Sequence, residues 1–110
     1  MGLKNREQLK SILESLRSRL RELLGDRLVS VYLYGSQARG DALPDSDVDV
    51  LVVIRGEFAY FDLVEKMSYI TAELSLRDDT VISCVFVSEN DYLHRRTPLL
   101  INIRREGIPV

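Results

Sequence analysis

The sequence predicts an α/β (α+β) domain, a mixed β-sheet with helices packed on one face, and three observations carry that expectation. Two segments of β-branched and aromatic residues, Val29 to Tyr34 and Val48 to Ile54, flank a turn-rich loop and read as strands. An amphipathic pattern from Asn5 to Leu24 reads as a preceding helix. After the second strand the pattern runs helix, strand, helix and short strand, an order that places helices over a sheet.

Each element has its own signal. In the first helix Leu9, Ile12, Leu13, Leu16, Leu20, Leu23 and Leu24 recur at three- and four-residue intervals, and Gly25 is the stop. Its basic residues, Lys10, Arg17, Arg19 and Arg21, are mixed with acids, which marks a solvated face rather than a nucleic-acid surface. A second helix is expected from about Tyr60 to Leu74, with Phe61, Val64, Met67, Tyr69 and Ile70 as its buried stripe. Asp78 and Asp79 form a turn before a third strand, Val81 to Val87. Ser88 and Thr97-Pro98 are start signals for two short helices. Gly107 ends the second of these, leaving Ile108-Pro109-Val110 as a closing strand or tail.

Composition narrows the function. With 110 residues, 45% of them hydrophobic, the chain supports one core, and residues 1–110 are expected to form a single domain. A net charge of −2 and a pI near 5.4 argue against a broad, sequence-independent nucleic-acid surface. No apolar run reaches membrane-spanning length and no signal-like start precedes the first helix, so the expected location is cytoplasmic. Cys84 is the single cysteine and reads as a buried strand thiol. His94 is alone in a polar run and reads as surface.

The chemistry lies between the first two strands. Gly35 permits a backbone conformation closed to most residues, and Ser36 adds a hydroxyl beside its own N–H, so the turn suits a phosphate. If Gln37-Ala38-Arg39 begins a helical turn, its positive end also favours an anion. Arg39 can touch a phosphate or pair with Asp41 or Asp45, and Ser46 can cap or brace the loop. Asp47 and Asp49 share one face, separated by about 6.6 Å at roughly 3.3 Å of rise per residue. Paired carboxylates at the head of an apolar strand repel each other and lose hydration, a conflict that a hard cation such as Mg²⁺ resolves. The alternate face, Val48, Val50, Val52 and Ile54, is apolar and should meet the core.

The run Gly35-Ser36-Gln37-Ala38-Arg39-Gly40, followed by Ser46-Asp47-Val48-Asp49, resembles the signature of the nucleotidyltransferase superfamily related to DNA polymerase beta, most closely its minimal nucleotidyltransferases. The likeness covers nearly the whole chain, with Gly35 to Val53 as its specific part. The resemblance implies the nucleotidyltransferase fold, Mg²⁺ held by Asp47 and Asp49, distal phosphates at Gly35 and Ser36, and ATP as substrate. Many members of that group are antitoxins paired with a helical HEPN-type ribonuclease toxin. This implies transfer of AMP to a hydroxyl of such a partner, most reasonably a tyrosine. The family pattern often adds a third carboxylate on a later strand; Ser83 stands at that position here, and Asp79 just upstream is the candidate substitute. Two alternatives stay open: a non-catalytic nucleotide-binding antitoxin that acts by complex formation, and half of a split small-molecule nucleotidyltransferase.

Overall fold

The computed structural model describes residues 6–40 and 47–110. Helix α1 (Arg6–Leu24) is followed by a 3-10 turn at Gly25–Arg27 and strand β1 (Leu28–Tyr34). One helical turn, α2 (Ser36–Arg39), leads toward strand β2 (Val48–Ile54). Then come α3 (Tyr60–Asp78), β3 (Ile82–Ser88), α4 (Glu89–His94), α5 (Pro98–Glu106) and β4 (Ile108–Pro109). The strands form one mixed sheet in the order β3-β2-β1-β4. β1 pairs antiparallel with β2 and β4, while β2 pairs parallel with β3 through the α3 crossover.

β2 is the centre of the molecule. Val48, Val50, Val52 and Ile54 are fully buried on one face, packed with Ile12, Leu16 and Leu20 of α1 and with α3. Helices therefore cover that face, as the alternation of β2 predicts. Leu51 and Val53 on the opposite face are equally buried, in a second cluster with Leu100 and Ile103 of α5. The expectation of helices on one face thus holds for α1 and α3, and α5 adds a partial second cover. The reason is visible in β2 itself: Leu51 and Val53 make the strand almost continuously apolar, the pattern of a strand buried on both sides.

The second helix differs from expectation in its stripe and its end. Leu63, Met67, Ile70 and Leu74 are buried, whereas Phe61 is 86% exposed and Tyr69 74%. The buried set follows helical spacing more strictly than the aromatics that drew attention in the sequence. α3 also runs one turn past Leu74, to Asp78, and closes where Asp79 adopts the left-handed conformation at φ 50°. There the amide of Thr80 donates to the carbonyl of Ser75 at 3.2 Å. The two later start signals are real caps: the hydroxyls of Ser88 and Thr97 accept from the amides of Asp91 and Leu100.

Across the α-helical face an Arg19–Glu73 ion pair and a 3.1 Å hydrogen bond from Arg77 to the Ser15 hydroxyl tie α1 to α3. These exposed contacts add little beside the apolar burial beneath them. Leu63→Ala is expected to destabilise the fold by about 2–5 kcal/mol, and Phe61→Ala by about 0.5 kcal/mol or less, in urea titrations followed by circular dichroism. Equal losses would mean that the stripe is misassigned.

Candidate active site

β1 and β2 bring the site together by their register. Tyr34, the last residue of β1, stands opposite Asp49, and Asp47 immediately precedes β2. On the other side of β2, Ser83 is the parallel partner of Asp49. Aligned residues of neighbouring strands share a face, so Tyr34, Asp49 and Ser83 form a row across the sheet.

Gly35 turns the chain out of β1 at φ 76° and ψ −157°, a conformation nearly reserved for glycine. Its carbonyl accepts from the amides of Ala38 and Arg39, both at 3.1 Å, which starts α2. α2 closes on Gly40, itself left-handed at φ 81°, so the expected helical turn after Ser36 is present. A side chain at residue 35 would have no room. A Cβ placed there would lie 2.7 Å from Oδ2 of Asp49, so the carboxylate occupies the space that the missing side chain leaves. The glycine therefore serves two ends: it makes the turn and it admits Asp49.

Burial raises the proton affinity of the Asp49 carboxyl, and the neighbouring charge of Asp47 adds to the effect. Two oxygen donors on one face, one of them disfavoured as a bare anion, suit a hard divalent cation. The residues present therefore fit such an ion. The Tyr34 phenol is likewise raised, by burial first and then by Asp49, and so remains a hydrogen-bond donor at neutral pH. Sequence reasoning overlooked Tyr34, although its place directly before Gly35 puts it on the Asp49 face of an antiparallel pair.

Other expected residues fall into less central places. Arg39 lies 3.6 Å from Glu106 at the end of α5, an exposed ion pair that no local sequence signal announces. Its alternative partners Asp41 and Asp45, and the bracing role of Ser46, lie outside the described residues. Asp79 is exposed at the α3 cap. No group of three His, Cys, Asp or Glu side chains able to hold a metal is gathered among the described residues, so Asp79 does not join Asp47 and Asp49 in one. Burial pushes the Cys84 thiol up to about 12, in keeping with an inert strand cysteine. His94 is exposed, with Nδ1 2.9 Å from the carbonyl of Asn90.

Residues 12–110 match the nucleotidyltransferase domain family. The chain is 38% identical over 82 residues to the protein adenylyltransferase MntA of Thermococcus cleftensis, covering 74% of this chain and 81% of that protein. It is 34% identical over 99 residues to a Methanocaldococcus jannaschii protein named as a protein adenylyltransferase, covering 90% and 95%. Among solved structures it is similar to a minimal nucleotidyltransferase, with 29% identity, a TM-score of 0.63 and 97% of both chains covered. It also shares the fold of a chain in a toxin-antitoxin complex with AMP-PNP, at 20% identity, a TM-score of 0.61, and 87% and 70% coverage.

Gly35→Val is expected to lower nucleotide affinity more than Ser36→Ala, because the added atoms displace the Asp49 carboxylate while loss of the hydroxyl removes a single contact. Calorimetry on variants shown to be folded checks this order. A raised carboxyl also has a thermodynamic sign: the ionised Asp49 disfavours the fold at neutral pH, and the effect disappears below about pH 4, where folded and unfolded chains both carry the proton. Asp49→Asn is therefore expected to melt higher than the parent at pH 7 without metal, and the gap should close in acid. A lower melting temperature at pH 7 would contradict this reading.

Proposed function

The chain belongs to the nucleotidyltransferase domain family, and from that premise we propose that it moves AMP from ATP to a hydroxyl of a partner protein. The observation that carries the proposal is the Asp49 carboxylate seated against Gly35, with Asp47 beside it at the head of β2. It joins the phosphate turn and the carboxylates in one place.

Asp47 and Asp49 would hold Mg²⁺, which when bound supplies charge neutralisation at the α-phosphorus and alignment of the attacking hydroxyl. Gly35 and Ser36 bind the distal phosphates through backbone N–H and hydroxyl, and pyrophosphate leaves from that end. Tyr34, protonated and facing the same space, offers a donor to a phosphoryl oxygen or to the acceptor. The acceptor hydroxyl attacks the α-phosphorus as the bond to the β-phosphate oxygen breaks, and its proton passes to water or to a group of the partner. β2, buried on both faces, keeps the carboxylates in place through these events.

The relatives support the reading of the partner. Similarity to a protein named MntA adenylyltransferase, and to the fold of a chain in a toxin-antitoxin complex, supports an antitoxin that marks its toxin. The reading extends to a HEPN-type helical ribonuclease with a tyrosine as the acceptor. An adenylyl group there would place bulk and negative charge in a cleft that must admit an RNA backbone. Among the described residues no helix is long and apolar enough to cross a membrane.

One observation favours a second reading, a nucleotide-binding antitoxin that neutralises by complex formation alone. Ser83 stands beside Asp49 where a third carboxylate would act, and a serine is a poor ligand and base. Intact-mass measurement of the purified pair with ATP and Mg²⁺ separates the two. The expected result is a gain of one or more AMP units on the partner, absent with Asp47→Asn, Asp49→Asn. That variant should also lose ATP affinity by tenfold or more, since a charge-assisted contact contributes roughly 1.5–3 kcal/mol. A confirmed complex with no mass gain would leave the second reading.

A further inference from the structure

The groups assigned so far meet the phosphates of ATP and leave its nucleoside end without a place. Gly35 ends β1 and Asp47 and Asp49 head β2, so a triphosphate laid from one to the other points across the sheet toward β3. On that side α4 packs against β2 and β3. α5 crosses β1 and sets Leu100 and Ile103 on Leu51 and Val53. The two helices therefore form a ledge over the rows that adjoin Tyr34, Asp49 and Ser83 on the same face.

The last turn of α5 is fixed beside the site. Glu106 pairs with Arg39 of α2 at 3.6 Å, next to the Gly35 turn. The amide of Gly107 donates to the carbonyl of Ile103 at 2.7 Å, and a Cβ at Gly107 would lie 2.5 Å from that same oxygen, so the chain leaves the helix where no side chain fits. Ile108 then pairs with Leu33, the neighbour of Tyr34. Arg104 stands two residues before Glu106, about 200° round the helix, on the flank away from α2. There its guanidinium lies over the ring of Tyr92, 5.2 Å from the centroid, and Nη2 donates to the carbonyl of Arg95 at 3.1 Å. Tyr92 in turn stacks on Tyr32, with centroids 5.5 Å apart and planes 14° from parallel. Tyr32 shares the face of β1 that carries Tyr34, about 6.6 Å away at roughly 3.3 Å of rise per residue.

Tyr32, Tyr92 and Arg104 thus stand as three layers on the sheet beside the carboxylate row, and the column ends in an exposed arginine. Among the described residues no carboxylate pairs with Arg104; a ring and a carbonyl hold it instead. Building on the nucleotide reading above, we propose that Arg104 binds the nucleobase, which stacks on the guanidinium as a fourth layer. A guanidinium is planar and stacks on aromatic faces, and bases are commonly held on such planes. Contacts that fix the side chain beforehand reduce the freedom lost on binding. Glu106, on the other flank, keeps its contact with the phosphate turn, so one helical turn separates the two ends of the nucleotide.

Calorimetry of the whole chain with Mg²⁺ and two probes, ATP and inorganic tripolyphosphate, tests this, because only ATP carries a base. Arg104→Ala is expected to weaken ATP binding about tenfold, the effect of losing one stacked base, and to leave tripolyphosphate binding unchanged. Arg104→Lys keeps the charge without the plane and should lose as much. Circular dichroism should be the same for all three chains, since the residue is exposed. Equal weakening of both probes makes Arg104 a phosphate contact and overturns the proposal. Unchanged ATP affinity in Arg104→Ala, or full affinity in Arg104→Lys, overturns it as well. A parent chain that fails to bind ATP is a failure of the nucleotide reading itself, and the inference falls with it.

Discussion

The arrangement depends on one close approach, the Asp49 carboxylate in the space that a Cβ at Gly35 would fill. Any other residue at position 35 would have to displace the carboxylate or the turn, because backbone and side chain claim the same few cubic ångströms. The Gly35 turn and the Asp49 carboxylate are therefore parts of one contact rather than two motifs that happen to be neighbours. The β1–β2 register fixes that contact, and the register is in turn enforced by the burial of Val48, Val50, Val52 and Ile54.

That dependence explains an otherwise costly choice. Carboxylates at the head of the most buried strand lose hydration and repel each other, and Asp49 shows it in its raised proton affinity. A site on a surface loop would avoid this, but it would also move. Covering both faces of β2, by α1 and α3 on one side and α5 on the other, gives the carboxylates a rigid base and leaves their instability in the absence of a cation unrelieved. The structure accepts local instability in return for geometry.

Much of this was legible in the sequence, for reasons that lie in particular residues. Alternation in β2, leucine spacing in α1, and the caps at Ser88 and Thr97 are local signals, and each element formed where they stood. The Gly35-Ser36 turn and the Asp47–Asp49 pair were legible because their residue types conflict with a purely structural role. What failed was long-range. The second cover over Leu51 and Val53 and the Arg39–Glu106 pair depend on where α5 returns, which no nearby residue encodes. The stripe of α3 was misread because Phe61 and Tyr69 are large and aromatic, while size without phase says little about burial. Tyr34 was passed over as an ordinary strand residue, although register alone brings it to Asp49.

The mixed pairing of β2 also orders the assembly of the chain in time. Its antiparallel neighbour β1 is reached across the short stretch of chain between Tyr34 and Val48, whereas its parallel neighbour β3 lies beyond the whole of α3. Closing the shorter loop sacrifices less chain entropy, so the β1–β2 pair is favoured as the nucleus on which α3 and then β3 settle. Tyr34, Gly35 and Asp49 would accordingly meet early, and Ser83 would arrive last. The half of the row at which nucleotide binding is proposed thus belongs to the part of the molecule that is quickest to form.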